Sequence, residues 1–319
     1  MDQIVRHGQI PPHLAGLRVD QAAAELFDEF SRAVLSGWIR EGNLTLDGRT
    51  VKPKTRVSGG EALAIDARID DSANWHEPQK VAFEVVFEDG EILVINKPAG
   101  VVVHPGAGNP DHTLVNGLLA HRPGLSSLPR AGIVHRLDKD TSGLMVVVAT
   151  VAAHKKLVSA LAAHRVRRRY VALVEGRLIS GRDIDEPIGR HPQHRTRQAV
   201  VEGGRPARTQ MRIIDRYRLH TQVAAELETG RTHQIRVHMA HIGHPLIGDR
   251  QYGARGRPPA GAEEVLRRAL SEFPRQALHA QQLEFDHPGS GEPVSFTAPM
   301  PADLLQLIDQ LTIDRQRLA

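Results

Sequence analysis

The stretch from Gly132 to Gly143 constrains the fold most. It reads Gly-Ile-Val-His-Arg-Leu-Asp-Lys-Asp-Thr-Ser-Gly. The apolar pair Ile133-Val134 leads in, and the run Leu144-Met-Val-Val-Val-Ala149 leads out. That pattern predicts strand, charged loop, strand. Between His135 and Ser142 stand two carboxylates, three basic or titratable groups and two hydroxyls. A polar loop held by two buried strands is a candidate active site. The same residues also fit a plain turn, in which Asp140 caps and Asp138 pairs with Arg136.

The chain has 319 residues, length enough for two domains. With 40% hydrophobic and 24% charged residues it has ordinary globular composition. No apolar run approaches the roughly 20 residues of a membrane span. Met1 to His7 carries no signal-peptide core. Cysteine is absent, which excludes disulfides, thiolate catalysis and thiolate metal sites. These features predict a cytoplasmic protein with no membrane partner, and a monomer is the default. Lys plus Arg exceed Asp plus Glu by 41 to 37, which suits an anionic partner without proving one. Aromatic residues make up only 4%, too few for a broad base-stacking platform.

Taken in order, residues 1–12 read as a tail ended by Pro11-Pro12. A helical pattern follows Leu17-Arg18-Val19-Asp20, with Ala22, Ala23, Leu26 and Phe30 on one side. Ser31 is the expected N-cap of a second helix, Arg32 to Glu41. Leu44 to Leu46 and Thr50-Val51 read as short strands about the Asp47-Gly48 turn. Gly59-Gly60 precedes a strand at Ala62 to Ile65. Helix, helix, hairpin and strand, with Arg32, Arg40, Arg49, Lys52, Lys54 and Arg56, make a small basic module. The alternative reading of those charges is a solvated face. Polar residues then form a linker, and the second domain starts near Phe83.

In the second domain, Glu91 to Ile95 is a strand followed by Asn96-Lys-Pro-Ala-Gly100, then Val103-His-Pro105. Thr113 opens a helix. Val151 to Arg168 reads as an amphipathic helix ending in Arg165, Arg167, Arg168 and Arg169. A basic helix end is favoured by the helix dipole, so these arginines fit either capping or RNA contact. Tyr170 starts a strand, and by its chemistry alone it fits a buried core position. Gly230-Arg-Thr-His-Gln-Ile-Arg-Val-His238 runs into a helix from about Thr232. His233, His238, His241 and His244 crowd together, which raises a zinc hydrolase as one reading. No H-E-x-x-H, no Cys and no carboxylate lies inside the cluster, so a metal is not expected.

The segments at 96–105, 132–143, 170–174 and 229–238, with Gly248-Asp249 and Tyr252-Gly253, resemble in order the motifs of the pseudouridine synthases that act on large-subunit ribosomal RNA and tRNA. The resemblance covers nearly the whole chain. The N-terminal module resembles an S4 RNA-binding domain through Arg18-Val19-Asp20, Ser31-Arg32, the Asp47-Gly48 turn and Gly59-Gly60-Glu61. What this implies is an α+β protein with a mixed, largely antiparallel central sheet. Its expected organisation is a tail (1–12), an S4-like domain (13–70), a linker (71–82) and a catalytic domain (83–319).

The resemblance also implies site residues. Asp138 would be the catalytic residue. Arg231 would pair with it, keep it charged and orient it. Tyr170 would stack on the uracil and help remove the C5 proton. Arg136 would fill the gap left by a flipped base, or else contact phosphate or form an ion pair. Arg18, Ser31, Arg32, Lys52, Arg165 and Arg167 would contact RNA. No cofactor is implied, and ribosomal RNA is the expected partner. A second function class is a non-catalytic RNA-binding or assembly protein on the same fold. Against it stands the complete set of Asp138, Tyr170 and Arg231, which binding alone does not need.

Overall fold

The computed structural model describes residues 3–27, 30, 32–68, 77–106, 108–194, 196–253 and 257–317. The chain divides into two compact units, residues 1–74 and 75–319.

The first unit contains β1 (Gln3–Gln9), α1 (Val19–Leu26), α2 (Arg32–Glu41), β2 (Leu44–Leu46) and β3 (Ala62–Arg68). β3 lies between β1 and β2 and runs antiparallel to both. Residues 3–9 are therefore a strand, where the sequence suggested a tail. Their partner lies some sixty positions away, so no local pattern reveals it. α1 buries Val19, Ala22 and Ala23, and α2 buries Leu35, Trp38 and Ile39. Those spacings are one face of a 3.6-residue period. Asp47 and Gly48 both have positive φ, 50° and 72°, the pairing that a type I′ hairpin turn demands. The turn closes at Leu46 and Arg49, so Thr50-Val51 forms no strand.

The second unit contains β4 (Glu84–Glu88), β5 (Ile92–Lys97), α3 (Leu114–His121), β6 (Ser142–Val148), α4 (Val151–Ala162), β7 (Arg167–Glu175) and β8 (Arg182–Asp185). It continues with β9 (Ile188–Arg190), β10 (Gln198–Val200), β11 (Arg208–Arg216), β12 (His220–Leu227) and α5 (Gln234–His241). α6 (Glu264–Ser271), β13 (Leu278–Asp286), β14 (Pro293–Thr297) and α7 (Ala302–Arg317) complete it. The main sheet has the order β4-β5-β6-β13-β7-β12-β11-β8, with β14 on β13. Among the described residues only the β6–β13 pair is parallel. The fold is thus α+β with a mixed, largely antiparallel sheet. β9 and β10 form a separate two-stranded ribbon.

Alternation along the strands divides the core. Leu93, Ile95, Met145, Val147, Tyr170, Ala172 and Val174 pack with α3 and α5. Ile92, Val94, Leu144, Val146 and Val148 pack with α4, and Leu173 with α6 and α7. A sheet covered on both faces explains the unbroken apolar run of β6, which is buried throughout.

Several boundaries differ from the sequence reading. α4 ends at Ala162, and Arg167, Arg168 and Arg169 open β7 instead of closing a helix. The helix-dipole account of those arginines therefore fails. Arg169 pairs with Glu226 across β12 at 3.0 Å. Ile133-Val134 contributes one bridge, Ile133 to Val147, rather than a strand. Positions 71–76 of the expected linker lie outside the described residues. Glu77 and Gln79 are bonded to Asn116 of α3, so that part belongs to the second unit. Among the described residues no helix is long and apolar enough to cross a membrane.

Candidate active site

The loop between Gly132 and Gly143 is fixed at both ends by close backbone approaches. A Cβ on Gly132, whose φ is +78°, would lie 2.0 Å from the Val148 carbonyl oxygen. A Cβ on Gly143 would lie 2.3 Å from the Ala280 carbonyl oxygen. Only glycine lets the loop enter and leave between these strands. Its middle is tied from beneath by Lys97. The buried Lys97 ammonium donates to the carbonyls of Pro98, Lys139 and Val101 at 2.8, 2.9 and 3.0 Å. Burial pushes its pKa down to about 7, opposed by the charges of Asp140 and Asp138 and aided by Arg275. Three carbonyl acceptors match the three N–H groups of an ammonium, so the geometry is that of the charged form. Arg275 donates to the Asp140 carbonyl at 3.2 Å, and Gln276 donates to the Thr141 hydroxyl at 3.0 Å.

This scaffold presents Asp138, whose side chain is 17% exposed. Arg236 Nη1 donates to Asp138 Oδ2 at 2.9 Å. The other edge of the same guanidinium grips Asp249, Nε to Oδ2 at 2.7 Å and Nη2 to Oδ1 at 3.0 Å. Gln251 takes a further Nη2 bond at 3.1 Å, and the Tyr252 ring lies 5.0 Å from the guanidinium carbon. Burial would lower the Arg236 pKa, but the bonds and charges of Asp249 and Asp138 outweigh it and hold it above the ordinary value. One cation thus sits between two carboxylates.

The cation is Arg236, where the sequence reading named Arg231. Arg231 lies outside the helix, and its Nε donates to the Pro206 carbonyl at 2.9 Å. Burial and the neighbouring Arg205 lower its pKa, an environment of like charge rather than of a carboxylate. α5 begins only at Gln234, so Arg236 falls in its first turn. Gln234 explains that start. Its buried amide accepts from Arg231 N and Thr229 Oγ1 and donates to Arg208 O and Thr209 Oγ1. The sequence carries no local signal that separates Arg236 from Arg231, since the burial of Asp249, which demands a cation, appears only in the fold.

Tyr170 lies on β7 between Ala225 and Ala280, 5% exposed. Burial raises its pKa, with Arg168 opposing and Asp138 adding to the rise. It is therefore a neutral phenol at neutral pH. Arg136 is exposed and takes no ion pair among the described residues. Arg165 and Arg167, about 60% exposed at 59% and 63%, face Asp286 and Glu284 at 3.8 and 3.9 Å. Such exposed pairs contribute little.

In the first unit, Arg18 and Arg32 both grip Asp20, each with an Nη2 to Oδ2 distance of 2.9 Å. Asp20 is 5% exposed, whereas the arginines are 37% and 46% exposed. Lys52 is exposed, and Ser31 lies outside the described residues.

Three of the four clustered histidines have separate hydrogen-bond partners. His238 bonds the Thr209 hydroxyl and the Glu186 carbonyl, and His244 bonds the Glu175 carbonyl. His233 bonds the Tyr252 hydroxyl. Among the described residues no three His, Cys, Asp or Glu side chains converge as metal ligands.

Comparison with known proteins fits this geometry. A family model for RNA pseudouridylate synthase matches residues 91–241, which include Asp138, Tyr170 and Arg236. The ribosomal large subunit pseudouridine synthase D of Pseudomonas aeruginosa is 51% identical over 99% of this chain and 98% of that protein. The protein of the same name from Escherichia coli K12 is 50% identical over 94% of this chain and 92% of its own. Among solved structures, human RNA pseudouridylate synthase domain containing 1 superposes with a TM-score of 0.54 at 27% identity, covering 70% of this chain and 86% of that one. Human RNA pseudouridylate synthase domain containing 4 gives 0.56 at 22% identity, over 72% and 93%, which speaks to fold alone. With half its residues shared over nearly its full length, the chain belongs to the RNA pseudouridylate synthase family.

Proposed function

We propose that this protein isomerises specific uridines to pseudouridine in a stem-loop of large-subunit ribosomal RNA, using Asp138 and no cofactor. The observation that carries the chemistry is Asp138, held at one oxygen by a guanidinium that is itself locked by Asp249. Support for the substrate comes from relatives named for the large ribosomal subunit, matched over nearly the whole chain.

In the reaction the bond from ribose C1′ to uracil N1 breaks, the base turns, and C1′ joins C5. One hydrogen leaves C5 and one is gained at N1, so nothing is oxidised and no water is consumed. A carboxylate beside the glycosidic bond serves as nucleophile or base. Arg236 takes the orienting role first given to Arg231. Tyr170 stacks on the uracil. Because it is a neutral phenol, it helps remove the C5 proton by passing its own proton on as it takes that one. A uridine in a stem must leave the helix at a cost of a few kcal/mol, which Arg136 offsets by occupying the gap. Arg18, Arg32, Lys52, Arg165 and Arg167 provide phosphate contacts. The same reading makes the protein a cytoplasmic one.

The test is pseudouridine mapping of RNA from cells lacking the gene, complemented with wild type or Asp138→Asn. Loss of particular large-subunit sites, restored by wild type alone, supports the proposal. An unchanged ribosomal map, or loss confined to tRNA, overturns the substrate. Full rescue by Asp138→Asn overturns the assigned residue.

A further inference from the structure

Asp138 has a second neighbour. His233 Nε2 stands 3.8 Å from Asp138 Oδ1, the oxygen that Arg236 leaves open. His233 is the N-cap of α5, with φ 57° and ψ 23°, and its side chain caps nothing. Histidine enters the left-handed region more readily than most side chains, so the helix start tolerates it there without requiring it. What it gains is a ring aimed from the helix start at Asp138.

The protons on that ring follow from counting. The Gln198 backbone N–H donates to the Tyr252 hydroxyl oxygen at 2.8 Å. The hydroxyl has one proton of its own to give, and His233 Nδ1 lies 2.7 Å away. Among the described residues the hydroxyl proton meets no other acceptor, so Nδ1 accepts it, and a neutral imidazole then carries its own proton on Nε2. The ring presents an N–H to Asp138. The charged groups facing it are Asp138 and Arg136 from the loop, Arg236 from α5 and Asp249 beyond it. Burial lowers the pKa of His233, Asp138 and Asp249 pull it up, and Arg236 and Arg136 push it down, so the neutral ring is the dominant form near neutral pH.

We propose that His233 is a positioning residue for Asp138, fixed as its Nε2–H tautomer by the hydroxyl of Tyr252. Tyr252 then controls both partners of the carboxylate, His233 through its hydroxyl and Arg236 through its ring face. At 3.8 Å the N–H is poised rather than bonded, and such contacts close when substrate is bound. With Arg236 on Oδ2 and an N–H facing Oδ1, the plane of the carboxylate is set. The inference rests on Asp138 being the reacting group.

The test uses the full chain with 15N-labelled histidine. The long-range proton–nitrogen spectrum of wild type should show His233 with a protonated Nε2 and an unprotonated Nδ1. Tyr252→Phe should mix or reverse that pattern. In single-turnover reactions on a large-subunit RNA fragment, His233→Ala and Tyr252→Phe should slow the step on the order of 10- to 100-fold. RNA affinity should hold. His233→Gln, whose amide N–H reaches the Nε2 position, should recover most of the rate. A protonated Nδ1 in wild type overturns the proposal, as does His233→Ala at wild-type rate or no recovery with Gln. The spectrum reads the tautomer without turnover. An active Asp138→Asn would defeat the assignment of Asp138 while leaving that reading intact.

Discussion

Each unit holds a cluster of Asp and Arg around a buried carboxylate, and these two clusters are inverted in charge. In the second unit one arginine, Arg236, sits between two carboxylates, Asp138 and Asp249. In the first, one carboxylate, Asp20, sits between two arginines, Arg18 and Arg32. The first arrangement has a carboxylate oxygen to spare and the second a guanidinium edge. Under the proposed function, the same ion-pair chemistry prepares one place for a reaction at a carboxylate and the other for phosphate. Burial reinforces the difference, since Arg236 is almost enclosed whereas Arg18 and Arg32 reach solvent.

The strongest way to break the comparison is to remove the shared cation. Arg236→Met strands the buried Asp249 and should cost about 3–5 kcal/mol of unfolding free energy, with loss of turnover. Arg231→Met should leave stability within about 0.5 kcal/mol, because its side chain meets only a backbone carbonyl. Denaturant midpoints of the two variants decide between them. Equal losses would mean that the ion pair is not what holds the site.

Next in size is the loop itself. Gly132→Ala should destabilise by at least about 1–3 kcal/mol from the left-handed backbone alone, before the clash with the Val148 carbonyl is added. Ala131→Gly, at φ 51°, should be neutral or stabilising by about 1 kcal/mol. Thermal unfolding of both variants reads the sign directly.

Acid should separate the units more gently. Burial pushes His135 down to about 3, with Arg168 aiding. Burial pushes His220 to about 4, with Asp314 opposing. Both folded values lie below the unfolded one, so between these limits the unfolded chain binds more protons. Stability is then full above pH 6.5 and falls as pH drops toward 4, by up to about 1.4 kcal/mol per unit for each group. The histidines of the first unit among the described residues, His7 and His13, are exposed. Urea midpoints at pH 6.5 and 4.5 should therefore draw closer when His135 and His220 are replaced by Gln, with a remainder left by His104, which burial also pushes down to about 4.

The smallest expected effect is on binding. Lys52→Gln with Lys54→Gln, both exposed, should lower the salt dependence of RNA affinity by about two ion equivalents while the single-turnover rate at saturation stays the same. A fall in that rate would mean that the first unit does more than bind.

How much of this was legible in the sequence depends on what each feature needed. α2, the Asp47-Gly48 turn and the glycine-bounded loop follow from local rules, and they stand where those rules put them. β1 could not be read, because a strand pairing with residues 62–68 has no local signature. Arg165 to Arg169 looked like a helix end because charge at a helix terminus and charge at the start of a strand leave the same composition. Arg231 and Arg236 share one motif, and only the start of α5 at Gln234 decides which of them reaches Asp138. Tyr252 was visible as part of a motif, but its double hold on His233 and Arg236 needs three dimensions.

The most direct measurement is tritium release from RNA labelled at uridine C5, in single turnover with purified wild type and Asp138→Asn. The account predicts release by wild type and, at unchanged RNA affinity, a rate lower on the order of 10³-fold or more for the variant. Release by Asp138→Asn at a rate comparable with wild type would contradict it.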